Sequence, residues 1–273
     1  MCIVAIAWQL FDELPLVLLS NRDEFLQRPT EPLHQWPDQP IYAGRDCQSG
    51  GTWLGIHQEQ QQNFQQQNGR WAAVLNFRDG VQASSDERSR GALVTEFLTG
   101  KSSPMDFARN INLQEYAGFN LIIGDATQAI VVNNRGHAPT PLYAGLHVIS
   151  NGQPEDSWFK TERLRGRLRQ EVLPLIAENR SPEYWQPAAF DVLSDHTQAS
   201  AGQLPDTGVD SKIEQMLSSV YIEPVALNNR ADNVPTYGTR TQSILTLTKD
   251  DEKNSNVTAK IISRESGPHS KQS

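Results

Sequence analysis

Two short apolar runs, residues 3–8 and 14–19, open the chain with the polar stretch 9–13 between them, a pattern that predicts a β-hairpin. Neither run alternates with polar positions, so both strands are expected to be covered on both faces. In an antiparallel pair the first residues of one strand lie beside the last of the other, which sets Cys2 across from Asn21, Arg22 and Asp23. Further strands are expected in "GGTWLGI" and "RWAAVLNF", in the pair "GFNLIIGD" and "AIVVNN", in "GLHVISNG", and late in the chain in "TYGTRTQSILTL" and "VTAKIISR". The glutamine-rich run "HQEQQQNFQQQNG" between the first two reads as a solvated insertion at a hairpin tip. Helices are predicted in "SSDERSRGALVTEFL", with Ser/Asp capping chemistry at its start, and over residues 159–179, where Leu164, Leu168, Val172 and Leu175 recur at helical spacing. A shorter helix is expected in "VDSKIEQMLSS", preceded by a turn in which Asp206 or Thr207 caps. Helices interrupt the strands rather than alternate with them. That predicts an α+β fold with sheets inside and helices outside, in a single domain over residues 1–265, with residues 266–273 a disordered tail.

Composition narrows the function classes. At 273 residues and 37% hydrophobic the chain can bury a sizeable core, and a net charge of −8 gives no electrostatic footing on nucleic acid or an anionic membrane. Gln9, Asp12, Glu13 and Pro15 interrupt the apolar N-terminal stretch, so neither a signal peptide nor a membrane span is expected. The two cysteines, Cys2 and Cys47, form no CxxC or Cys/His cluster, which points to a reducing, cytoplasmic setting without a disulfide framework. None of the six histidines, His34, His57, His137, His147, His196 and His269, shows metal-ligand spacing, and no glycine run forms a phosphate loop. No metal or resident cofactor is expected. The anticipated partner is a small-molecule substrate or ligand, and oligomeric state leaves no signal.

Cys2 carries the chemistry. A cysteine inside an apolar strand is ordinarily an inert small hydrophobe, but removal of Met1 would give Cys2 a free α-amine and so place nucleophile and base in one residue. A thiol titrates near ~8.5 and an α-amine near ~8, so both ionise close to neutrality. Arg22 opposite would favour the thiolate, and Asp23 would hold the amine by a hydrogen bond. The same "NRDE" run also suits a structural turn in which Arg22 pairs with Glu24. Trp53 in "GGTWLG" reads as core or as pocket wall.

The initial Met-Cys, "NRDE" after the first hairpin, "AGRDCQSGGTWLGI", "LNFRD", "SRGALVTEFL", "GFNLIIGD", "ISNG", "LPDTGV" and "YGTRTQSILTL" together resemble the NRDE, or transport-and-Golgi-organisation, family, over residues 1 to 248. That family in turn resembles the N-terminal-nucleophile hydrolases of the cholylglycine hydrolase and penicillin acylase group. The resemblance implies a four-layer αββα sandwich. It also implies an amide-bond hydrolase acting through an acyl-enzyme, with Cys2, Arg22, Asp23, Asn76, Asn151 and Arg240 as site residues. By the same resemblance Asn76 and Asn151 orient the carbonyl or receive its oxyanion, and Arg240 supports the nucleophile's charge. The hydrolases space Arg and Asp several residues apart, whereas here they are adjacent, and adjacent strand residues point to opposite faces. A shared site therefore needs a bend at the strand end. The family's link to haem trafficking and to Golgi and secretory organisation implies an alternative, a non-catalytic carrier of haem or a small apolar ligand, although the chain has no CxxCH attachment motif.

Overall fold

The computed structural model describes residues 2–59, 69–81, 83–226, 235–251 and 254–266. Most of the glutamine-rich run, Met1 and nearly all of the expected tail lie outside the described residues. The opening hairpin forms as the pattern predicts, β1 (Cys2–Trp8) pairing antiparallel with β2 (Leu16–Phe25). Every residue of β1 is buried. The second strand runs further than its apolar stretch, so Asn21, Arg22, Asp23 and Glu24 are strand residues and not a turn.

Four strands follow, β3 (Thr30–Gln35), β4 (Ile41–Asp46), β5 (Leu54–His57) and β6 (Trp71–Asn76). Helices α1 (Gly91–Thr99) and α2 (Pro104–Asn110) come next, then β7 (Phe119–Gly124), β8 (Ala129–Asn133), β9 (Thr140–Pro141) and β10 (Gly145–Ile149). The predicted long helix is present as α3 (Phe159–Arg167), one π-helical stretch (Leu168–Val172) and α4 (Leu173–Ala177). After α5 (Pro182–Leu193) and α6 (Ser211–Met216) the chain ends in β11 (Val225–Ala226), β12 (Thr236–Asp251) and β13 (Asn254–Glu265).

Two antiparallel sheets result. One has the order β10-β1-β2-β12-β11 with β13 also on β12, and the other runs β3 to β9 in sequence order. Alternation sorts the side chains of the first sheet. Val4, Ile6, Trp8, Leu16, Leu18 and Leu245 meet Leu54, Trp71, Ile122 and Val131 of the second sheet. On the opposite face Ile3, Ala5, Val17, Leu19 and Ile244 meet Leu164, Leu168, Trp185 and Phe190 of the helices. The outer face of the second sheet packs on Leu93, Val94, Phe97 and Leu98 of α1. Each Val, Leu, Ile or Phe among them taken fully out of water contributes about 1.5–3 kcal/mol. The mixed α and β composition is therefore as expected, and double-sided burial explains why β1 and β2 carry no alternating pattern. Among the described residues no helix is long and apolar enough to cross a membrane.

Two local expectations fail. Helix α1 begins at Gly91 with no side-chain cap, because residues 84–90 are used elsewhere: Ser84 N–H donates to Glu87 Oε2, and Arg88 bridges to Tyr116. At α6 the cap is Asp210, which accepts from Lys212 N–H, while Asp206 only closes the preceding turn on Gly208.

Candidate functional site

Strand pairing sets Cys2 opposite Arg22, as the hairpin predicts. The register of β1 with β10, Val4 opposite Ile149, extends to bring Asn151 alongside Cys2. Ser150 ties this edge down, its Oγ donating to the Cys2 carbonyl (2.9 Å) and to Asn151 Oδ1 (3.1 Å). Cys2 is 8% exposed and lines a cavity of about 540 Å³ with Arg22, Asp23, Trp53 and Asn76. Glu87, Arg88, Ser89 and Arg90 line the same cavity.

Arg22 and Asp23 part company as alternation requires. Arg22 points between the sheets, stacked 4.2 Å over the Trp53 ring and bonded to Asp46 Oδ2 at 3.2 Å, with Glu24 at 3.7 Å. Asp46 also takes Arg28 Nε at 2.6 Å and the N–H groups of Gln48 and Ser49. The "AGRDCQSGG" segment thus serves to anchor Arg22. The Asp23 carboxylate turns to the helix side, where Thr239 Oγ1 donates to it at 2.7 Å. A bulge at Arg240 makes this fit: Thr239 pairs with Asp23 and Thr241 with Arg22, so the two threonines, two apart in sequence, face opposite sides. What Asp23 presents to the sulfur is its backbone, whose N–H donates to Cys2. The irregularity lies in β12, the partner strand, and not at the end of β2, so the bend expected there is absent and the Arg22 and Asp23 side chains stay on opposite faces.

Burial pushes the Cys2 thiol up, aided by the nearby Asp23 carboxylate, while the Asp23 N–H and Arg22 pull it down. Burial likewise raises the Asp23 carboxyl, against Lys160 and the Thr239 hydroxyl. Among the described residues the Asn76 side-chain amide makes no hydrogen bond and lines the cavity. Asn151, fully buried, is not part of the lining: its Nδ2 donates to the Asn76 carbonyl (2.9 Å) and so fixes the end of β6. Arg240 lies further out, its Nη1 donating to the carbonyls of Leu26 (3.0 Å) and Arg28.

Lys160 is a buried neighbour of this site that the sequence concealed. It sits on α3 among charged neighbours and reads as part of a solvated face, yet it is 1% exposed and donates to Asn151 Oδ1 at 3.2 Å. Burial, then the Arg78 guanidinium, bring its ammonium down to about 8. Beside it Arg78 pairs with the buried Glu214 at 2.9 Å and stacks 4.7 Å from the Trp158 ring. Nothing in the sequence marks Lys160, because its burial depends on where α3 docks.

Two glycines shape the wall. A Cβ on Gly51 would meet the Gly91 carbonyl carbon at 2.7 Å, so the loop before β5 and the start of α1 touch backbone to backbone. That contact brings Ser89, Arg90 and Gly91 to the cavity.

A family model described as "Transport and Golgi organisation 2" matches residues 1–261. The chain is similar to the human Transport and Golgi organization protein 2 homolog, 30% identical over 249 residues that cover 86% of this chain and 83% of that protein. A Saccharomyces cerevisiae protein described as uncharacterized is 28% identical over 296 residues, covering 92% of this chain and 88% of its own. Among solved structures, the Caenorhabditis elegans N-acylethanolamine-hydrolyzing acid amidase ortholog matches with a TM-score of 0.44 and 12% identity, covering 71% of this chain and 86% of that one. A likeness at that score carries no weight for the chemistry.

Proposed function

We propose that this chain, which belongs to the Transport and Golgi organisation 2 family, is a cysteine amidohydrolase that cleaves a non-peptide amide bond of a small molecule through an acyl-enzyme. On this reading the facing sheets and their flanking helices form the four-layer αββα sandwich of the N-terminal-nucleophile hydrolases. The observation that carries the reading is the position of Cys2: first residue of β1, paired in register with Arg22, at the wall of a polar cavity that also holds Asn76.

With Met1 removed, the Cys2 sulfur attacks the substrate carbonyl while its proton passes to the α-amine of the same residue. Burial holds the thiol protonated at rest, so the proton leaves as the S–C bond forms. The oxyanion accepts from the Asn76 amide, which Asn151 and behind it Lys160 hold in place. The α-ammonium then returns the proton to the departing nitrogen, the C–N bond breaks, and a thioester remains. Water, deprotonated by the amine, releases the acid and the thiol. Asp23 steadies the sulfur through its N–H and the amine through its carboxylate, Arg22 supplies positive charge, and Arg240 braces the exit of β2. The cavity's arginines, carboxylates and serines offer little surface for haem or another apolar ligand, so the lining favours the hydrolase over the carrier.

Intact-mass measurement tests the proposal. The native protein should lack Met1, and acid quench during turnover of an N-acyl amide panel should trap an acyl adduct on Cys2 that Cys2→Ala does not form. A purified native protein that retains Met1 overturns the mechanism.

A further inference from the structure

Four arginines line the cavity, and three of them are already neutralised. Arg22 and Arg28 share Asp46, at 3.2 and 2.6 Å, and lie near Glu24. Arg88 turns away to Glu96 and Glu115. Arg90 differs: its Nη1 donates to the Gly118 carbonyl at 3.2 Å, and among the described residues no carboxylate lies within ion-pair distance. A part-buried guanidinium with donors open to the cavity and no carboxylate at ion-pair distance favours a ligand that brings the missing charge.

Its surroundings point the same way. Arg90 stands immediately before α1, a helix with no acidic residue in its first turn and no side-chain cap, so the helix dipole adds positive potential at the cavity wall. Ser84 and Ser89 line the same cavity and carry hydroxyl groups. Arg90 and Cys2 line the same cavity.

We infer that the site takes a small amide carrying a carboxylate a few bonds from the scissile carbonyl, and that Arg90 is the residue that selects it. This rests on the amidohydrolase reading and names its substrate class. A bidentate guanidinium–carboxylate contact would fix the amide over Cys2, and the neutral analogue would leave Arg90 without a counter-charge.

The test uses two alkylating reagents of similar size, iodoacetate and iodoacetamide, on the full-length protein carrying Cys47→Ser, so that Cys2 is the sole thiol. In both cases the sulfur forms a bond to the methylene carbon and iodide leaves. The readout is the iodoacetate-to-iodoacetamide rate ratio at Cys2, divided by the same ratio for free N-acetylcysteine. We expect an enhancement of at least about tenfold, as local electrostatic focusing commonly gives, abolished in Arg90→Gln and largely kept in Arg90→Lys. A ratio equal to that of N-acetylcysteine, or an enhancement that survives Arg90→Gln, overturns the inference. If Cys2 reacts with neither reagent the nucleophile reading falls. The carboxylate inference is then decided by NMR titration, in which N-acetylglycine must bind at least about tenfold tighter than N-acetylglycinamide in wild type and not in Arg90→Gln. Turnover of N-acetylglycine against succinamate places the carboxylate on the amine or the acyl half.

Discussion

Replacing Lys160 with methionine removes an ammonium that packing holds out of water. Its aliphatic stem is buried with it, and methionine fills similar space. Burial first, then Arg78, lower Lys160 from 10.5 to about 8, against the pull of Asp23, Cys2 and Glu214. Below about pH 8 the folded and unfolded chains both carry the charge, and the folded state bears its full cost. Between about 8 and 10.5 the folded chain has released a proton that the unfolded chain still holds, so stability rises by about 1.4 kcal/mol per pH unit. Above 10.5 neither state is charged and the dependence ends. The whole window is worth about 3 kcal/mol. Lys160→Met has nothing to titrate there and lacks the slope. Urea unfolding followed by tryptophan fluorescence, repeated from about pH 7 to about pH 10, measures both proteins, and titrations common to them cancel in the difference. Wild type should gain about 2–3 kcal/mol on the variant across that range. A difference constant to within about 0.5 kcal/mol would refute the reasoning, since Lys160 would then titrate as if exposed.

Other perturbations probe the site's remaining supports. Asn76→Ala should lower kcat toward the preferred amide by about 10²–10³ while KM changes little, because the amide meets the oxyanion and not the ground-state carbonyl; steady-state kinetics checks this, and an equal loss in KM would move Asn76 to substrate binding. Asp46→Asn should cost about 3 kcal/mol near neutrality by leaving Arg22 buried without its main partner, measured by chemical unfolding. Burial opposes ionisation of Asp46, but Arg28, the Ser49 N–H and Arg22 hold its carboxyl below the usual range. Wild type should therefore keep this stability above the ordinary carboxylate range and lose it as pH falls through the lowered value, while Asp46→Asn shows a flatter acid limb. Gly51→Ala should lower stability by about 1–3 kcal/mol, seen as a reduced thermal midpoint, because its Cβ meets the Gly91 backbone, which cannot move aside without shifting α1.

The sequence by itself determined the strand skeleton and the pairing that founds the site. The length of the two apolar runs and the polar stretch between them suffice to bring Cys2 opposite Arg22, because hairpin register is a local property of the chain. The order Cys2, Arg22, Asp23, Asn76 was also legible, and those four residues do meet at one cavity. Where α1 begins was not legible: residues 84–90 have good helix-starting chemistry, and contacts such as that of Gly51 with Gly91 and the bridge of Arg88 to Tyr116 hold them in the wall instead. Asn151 and Arg240 lie close in space but bond to backbone carbonyls, a distinction that residue type cannot reveal. Lys160 and Arg90 are the clearest cases. Each looks in sequence like an ordinary surface cation, and whether it meets water, a carboxylate or neither is fixed by elements distant along the chain. Periodicity reports which face of an element is apolar; the energetic state of a charge depends on what docks over it, and that is decided by tertiary packing alone.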